Sequence, residues 1–509
     1  MLKTVTRSEQ PQEKGLRHNS LGLIASVVLS VSSIAPAYAL TATLGPTAGE
    51  VGLQTPAIFV AGFLPMLLVA FAYRELNRSI PDCGTSFTWT VKAFGPRIGW
   101  LCGWGAVVAT IIVLSNLAGV AVTFFYLMLG EAFGSPQLAE LGDNKIVNVL
   151  TCLAFIAVAT WVAYRGLAVT KRVQYILVGF QLAVLALFTV LALVKAGTGA
   201  SAVAIPFDWS WFNPFGIESF AAFTAGLSLS LFIYWGWDTS LTVNEETEGE
   251  SRTPGRAALL SMLVILTTYL SVTIASQMFA GVGKEGYGLA NPETGDNVFA
   301  ALAGPVLGGL AIVLFVAVMA SSASSLQTTF LPPARTMLAM ATYKAAPARF
   351  AQVHPQNRIP SFGTLFAGIG TAVFYTVLTL VSENVLIDTI YALGLIIAFY
   401  YGLTAYACVW YFRKHLTRSV KDFVFKGLFP GIGAVLLTLV FVQTAIDTWD
   451  PAYGFGGSVL GVGTVFLIGV GLLALGVVLM LLWQRRAPEF FRGETLRADT
   501  PALVAEDPA

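Results

Sequence analysis

Apolar runs of about twenty residues recur from Leu21 to the exit sequence "LLWQRRAPEF" (Leu481 to Phe490), and this recurrence limits the possible folds more than any other feature. A helix needs about 20 mostly apolar residues to cross roughly 30 Å of hydrocarbon. On that ruler the chain holds twelve spans, starting near Leu21, Leu53, Ile98, Ile146, Val173, Ile217, Ala257, Val306, Phe362, Val385, Phe429 and Ser458. Composition agrees. Of 509 residues 56% are hydrophobic and 11% charged, where soluble domains carry about 25% charged residues. The net charge of +1 offers no basic face to nucleic acid. Cys83, Cys102, Cys152 and Cys408 lie apart, without the paired spacing of a disulfide framework or a zinc site.

An even number of spans puts both termini on one side. With that side cytoplasmic, the external connections hold only Lys145, Lys195 and Lys284 among 29 Lys+Arg. Groups such as Arg74/Arg78, Lys171/Arg172 and Arg413/Lys414/Arg418 then fall inside, as the positive-inside rule requires. The expected organisation is a cytoplasmic tail over 1–19, a transport core of ten helices over 20–412 and two further helices over 413–486. A cytoplasmic, disordered tail is expected over 487–509.

Hydrolytic and covalent chemistry find no support. There are three histidines, with no HExxH, no Walker A motif and no GxSxG elbow. "GVGKEG" (Gly281 to Gly286) matches GxGxxG but follows a membrane helix rather than a strand, so it is a chance match. The chain is not expected to be an enzyme, and no cofactor or metal centre is expected.

Two spans read as broken. In the first, Ser32-Ser33-Ile34-Ala35 precedes Pro36, which removes a helix donor and disfavours helical geometry at Ala35. In the sixth, "LFIYWGWDTSLTV" places Gly236 at mid-depth with Asp238 beside it. Lipid tolerates such breaks only where they line a cavity or are buried in protein. Interrupted spans five apart point to an inverted-repeat transporter with its site at the midplane, where amide donors and carbonyls suit a zwitterion. Phe232, Tyr234, Trp235 and Trp237 would wall that site, or serve as bundle packing. Asp238 is a gating or proton-linked carboxylate, or an N-cap for the second half-helix. "NEETEGESRTPGR" (Asn244 to Arg256) reads as a solvated loop leading into span 7.

Three stretches carry a family likeness. They are "YREL…PDCGTSFTWTVKAFGPRIGWLCGW" (Tyr73 to Trp104), "LFIYWGWDTSLTVNEETEGESRTPGR" (Leu231 to Arg256) and "LPPARTMLAMATYKAAPARFAQVHPQNRIPSFGT" (Leu331 to Thr364). On these residues the chain resembles the amino acid–polyamine–organocation (APC) superfamily of permeases. The resemblance implies an all-α integral membrane protein with the fold of sodium-coupled leucine transporters. Spans 1–5 and 6–10 would form inverted repeats, with helices 1 and 6 broken and spans 11 and 12 appended. It implies that the substrate carboxylate meets Ser32, Ser33, Ile34 and Ala35, and that the ammonium meets carbonyls around Phe232 and Trp235. Ser115 or Asn116 on span 3 falls near a substrate position.

Some superfamily members carry a lysine in span 5 that replaces a sodium ion. Aligned from "KRVQYILVGFQL", that position is Gln181 here, which cannot titrate. Ser321, Ser322, Ser324 and Ser325 in span 8 fall where sodium-coupled relatives bind their ion, though serines in membrane helices also serve close packing. Span 3 from Ile98 to Leu129 holds no acid to receive a second positive charge, which favours a neutral substrate. The expectation is a proton-coupled importer of an amino acid or small amine at the plasma membrane. The alternatives are sodium coupling or exchange with a cationic substrate or polyamine, and a non-transporting sensor on the same fold.

Overall fold

The computed structural model describes residues 14–501 except 296, 382–384 and 455–456. Ten helical stretches among them are long and apolar enough to cross a membrane. The longest, Leu23–Ser79, has 57 residues, or about 85 Å if straight, nearly three times the hydrocarbon thickness. It is not one rod. Helix α1 (Leu23–Ile34) stops at Ala35, α2 (Pro36–Val51) stops at Gly52, and α3 (Thr55–Ser79) follows a short 3₁₀ turn. Proline sits in the first turn of α2 and α3, where its missing N–H breaks no helical bond.

The chain continues through α4 (Ser86–Phe94), α5 (Pro96–Phe133), α6 (Lys145–Arg165) and α7 (Leu167–Gly197). The sixth apolar run is divided into α8 (Phe220–Ile233) and α9 (Thr239–Thr242). Then come α10 (Thr253–Ala280), α11 (Val298–Leu307), α12 (Ala311–Thr329) and α13 (Leu331–Thr342). The last membrane helices are α14 (Ser361–Val381), α15 (Val385–Phe412), α16 (Phe429–Asp447) and α17 (Thr464–Arg486). Helix α12 lies along α5, α1 lies between α10 and α12, and α15 bridges α5 and α8 to α16 and α17. One apolar core runs from Val31 in α1 to Val465 in α17.

Both described ends of the chain lie on one face. Lys14 reaches Asp82 and Glu245, and Thr495 donates to the Tyr343 carbonyl at 2.6 Å. The stretch after Arg486, expected to be disordered, folds back over residues 487–501. Phe490 is fully buried against Phe87, and Lys92 bonds the Thr500 carbonyl. Residues 502–509 and 1–13 of the expected tails lie outside the described residues.

Candidate functional site

The two helix breaks touch each other. Ala35 adopts a left-handed conformation, φ 56° and ψ 67°, which for a non-glycine residue costs about 1–2 kcal/mol. Its N–H caps α1 through the Val31 carbonyl, and Pro36 restarts the helix as α2. The break is thus one residue wide, and Ser32 and Ser33 form the last turn of α1. Gly236 lies at φ +105°. A Cβ there would sit 2.9 Å from the Ser33 carbonyl carbon and 3.1 Å from the Ile34 nitrogen, so a side chain at Gly236 would force the breaks apart. Thr239 Oγ1 donates to Ser33 Oγ at 2.7 Å, and Ser30 Oγ to the Trp237 carbonyl at 2.9 Å.

Helix α12 completes the contact with hydroxyls. Ser325 donates to the Ser33 carbonyl at 2.9 Å, a group that the interrupted helix leaves without its usual partner. Ser321 accepts the Tyr38 N–H in the first turn of α2. Ser324 and Ser32 lie 2.6 Å apart, and both donate to the Gln174 Oε1 atom, at 2.6 and 2.7 Å. Gln174 Nε2 in turn donates to the Ser324 carbonyl. Ser322 is buried with its hydroxyl unpaired. Gln174 on α7, rather than Gln181 two turns further on, therefore joins α1 to α12. The Gln181 amide is buried and makes no hydrogen bond. The alignment missed Gln174 because "KRVQYILVGFQL" offers a glutamine at either end.

The aromatic run divides. Phe232 meets Tyr38 edge-on at 6.2 Å, just past the α1–α2 break, and Trp235 Nε1 donates to the Tyr400 hydroxyl. Tyr234 instead packs on Phe63 and Tyr269, and Trp237 on Tyr73 and Tyr401, within the bundle. Asp238 precedes α9, but its side chain makes no capping bond. The capping alternative is set aside. Asp238 is buried, only 8% exposed. Asn116 donates to Thr389 on α15 at 2.8 Å, while Ser115 turns to its own helix and the Thr371 carbonyl.

The sequence reading missed a buried charged cluster on the face of the termini. Lys14 Nζ lies 2.7 Å from Asp82 and 2.6 Å from Glu245, and all three side chains are at most 4% exposed. Tyr343 donates to Asp82 at 2.8 Å. Burial favours the neutral amine at Lys14, but Asp82, Cys83 and Glu245 outweigh it and hold its pKa well above the lysine range. Burial likewise raises Asp82, yet Lys14, Thr88 and the Gly84 N–H bring it below its ordinary value. Arg335 Nε donates to Glu246 at 2.6 Å in a second buried pair.

The start of "NEETEGESRTPGR" is thus corrected. Asn244, Glu245, Glu246 and Thr247 are buried rather than solvated, because Lys14 and Arg335 neutralise the two acids. Backbone bonds from Ser20 to Glu246 and from Glu248 to Leu21 zip the approach to α1 onto the same segment.

The geometry matches known proteins. The solved structure of MhsT in complex with L-phenylalanine shares the fold with a TM-score of 0.62, covering 84% of this chain and 99% of that one at 16% identity. The branched-chain amino acid permease BcaP of Bacillus subtilis is 26% identical over 376 residues, 71% of this chain and 75% of its own. The human large neutral amino acids transporter small subunit 2 is 26% identical over 478 residues, 92% of this chain and 81% of its own. Cationic amino acid transporter 3, mitochondrial, of Arabidopsis thaliana is 22% identical over 324 residues, 62% of this chain and 50% of its own. The amino acid permease family model matches residues 21–473, from the start of α1 into α17, and the chain belongs to that family.

Proposed function

We propose that this permease imports a neutral amino acid across the plasma membrane by proton-coupled secondary transport, through twelve passes with both termini cytoplasmic. The observation that carries the reading is the contact between the Ala35 and Gly236 breaks. The α2 N-terminus starts there and offers amide donors and the positive end of a helix dipole to a carboxylate. The carbonyls that end α1 and α8 offer acceptors to the ammonium group.

A neutral side chain is favoured by the surroundings, which are hydroxyls, Gln174 and aromatic rings. The names of BcaP and of the large neutral amino acids transporter agree with it. A cationic substrate is the second reading, favoured by the name of the Arabidopsis relative and by Asp238 as the counter-charge. Gln174 argues against sodium. Its Oε1 already accepts from both the Ser32 and Ser324 hydroxyls, so the amide oxygen that a cation would need is engaged. Asp238, buried among tyrosine hydroxyls, is the proton-carrying group in this reading.

Uptake by purified protein in proteoliposomes tests it, with a panel of labelled amino acids under no gradient, a pH gradient or a sodium gradient. Accumulation of a neutral amino acid under the pH gradient, lost in Asp238→Asn, is expected. Accumulation under sodium alone would overturn the coupling, and accumulation of only cationic substrates would overturn the substrate class.

A further inference from the structure

Two cavities outside the transport site form one groove on the lipid-facing side of the bundle. The first, about 480 Å³, is walled by Trp100, Trp104, Met337, Met340 and Trp483, with Arg485 and Arg486 at its mouth. The second, about 710 Å³, continues between α5, α14 and α17 past Ile111, Ile369, Val373, Leu472 and Leu475. Trp104 and Phe366 line both. Gly476 makes room for the Trp104 ring, since a Cβ there would stand 2.2 Å from it.

The polar atoms of this groove are spent internally. Trp100 Nε1 donates to the Ala345 carbonyl, Trp104 Nε1 to Leu472, and Trp483 Nε1 to Lys344. The rings therefore present carbon to the cavity, and Trp100 and Trp104 stack 6.0 Å apart. At the mouth Lys344 pairs with Glu489 at 2.8 Å, which neutralises that acid. Arg485 and Arg486 are exposed and form no ion pair among the described residues. From Arg485 to Leu472 along α17 is about 20 Å, slightly more than one leaflet of a roughly 30 Å hydrocarbon core.

We propose that this groove is a binding site for one anionic glycerophospholipid, its phosphate on Arg485 and Arg486 and an acyl chain along Trp104 and Phe366 toward Leu472. The charge placement selects the lipid. A carbon-lined trough one leaflet deep that ends in two free guanidinium groups matches an acyl chain ending in a phosphate diester. The walls come from α5, α13, α14, α17 and the segment after α13, so an occupant clamps the α17 exit to the loop around Ala345.

Native mass spectrometry of the full chain tests this. The purified, delipidated protein is titrated with phosphatidylglycerol, phosphatidylcholine or inorganic phosphate. One phosphatidylglycerol is expected to be retained with a roughly tenfold to thirtyfold preference over phosphatidylcholine, the weight of two arginines near a bilayer surface. The preference should vanish in R485A/R486A and persist in R485K/R486K. Leu479→Trp, which fills the wall of the first cavity, should lower retention of both lipids. Equal retention of the two lipids, a preference that survives R485A/R486A, or saturation of the effect by inorganic phosphate would each overturn the proposal. Loss of transport on its own would bear on the permease reading and not on this one.

Discussion

The contact between the two breaks and the charged cluster are both buried, yet they are built from opposite materials. Where the two breaks meet, α1, α7, α9 and α12 are joined by Ser32, Ser33, Gln174, Thr239, Ser324 and Ser325, all uncharged. On the face of the termini, closure rests on Lys14 with Asp82 and Glu245, and on Arg335 with Glu246. Neutral hydroxyls trade one partner for another at about 1 kcal/mol each, which fits the proposed binding and release of a zwitterion. Breaking a buried ion pair by removing one partner costs about 3–5 kcal/mol, which suits a seal with two distinct states. Under the proposed function, the hydroxyl contact exchanges partners and the ion pairs hold.

The largest effect is expected where the breaks touch. Gly236→Ala places a Cβ against the Ser33 backbone in a left-handed conformation, and strain of about 1–3 kcal/mol alone approaches a hundredfold. Uptake of a neutral amino acid should fall about a hundredfold or more while the protein still inserts. Activity within threefold of the unmodified protein would mean that the breaks need not meet.

On the charged side, Glu246→Gln should lower thermal stability sharply, because it leaves Arg335 without its ion pair. The double change Arg335→Met with Glu246→Met should recover at least half of the loss, since two apolar groups leave no orphaned charge. A double variant as unstable as the single would show that the pair does more than neutralise itself.

Lys14→Ala should loosen the seal without touching the breaks. Cys83, fully buried beside Lys14, reports on it. In protein lacking the other three cysteines, alkylation of Cys83 should speed up at least tenfold, and unchanged protection would contradict the latch. For the Lys14–Asp82 pair next to Cys83, the pH dependence follows from the shifts of these two groups. Asp82 lies below its ordinary value, so its contribution is present above the usual aspartate range and lost only as pH falls through the lowered value. Lys14 lies above its ordinary value, so its contribution is complete below the usual lysine range and lost only as pH rises through the raised one. Protection of Cys83, normalised to a free thiol at each pH, should therefore stay flat between about pH 5 and 9. A change inside that window would place a proton switch in the seal rather than at Asp238.

The smallest contrast lies within α12. Ser322→Ala removes a hydroxyl with no partner and should change uptake less than twofold, whereas Ser325→Ala removes the donor to the Ser33 carbonyl and should cost about 1 kcal/mol of stability. Equal effects would sever the link between α12 and the break.

The breaks were legible in the sequence because proline and glycine act on the backbone locally: Pro36 ends α1 whatever surrounds it, and Gly236 stands alone among bulky residues. The long third span was legible from its apolar length and is α5, with 38 residues. The seal was not. Glu245 and Glu246 sit in a run of acids that reads as solvated, and their partners lie 231 and 89 residues away along the chain. Pairing at such separations leaves no local signature. Gln174 was missed for a related reason, since two glutamines two turns apart share a helix face and only the packing of α7 on α1 and α12 separates them. The aromatic run showed that a pocket or core was near, but not that Tyr234 and Trp237 would turn into the bundle while Phe232 faced Tyr38.

The most direct measurement puts a probe at the contact itself. Ser33→Cys, in protein lacking Cys83, Cys102, Cys152 and Cys408, is reconstituted and alkylated with a small membrane-permeant thiol reagent, with and without leucine. If the touching breaks hold the substrate, saturating leucine should slow alkylation at position 33 at least tenfold, with the same concentration dependence as uptake. Transport of leucine with no change in alkylation at that position would show that the substrate binds elsewhere and that the contact between the Ala35 and Gly236 breaks is only structural.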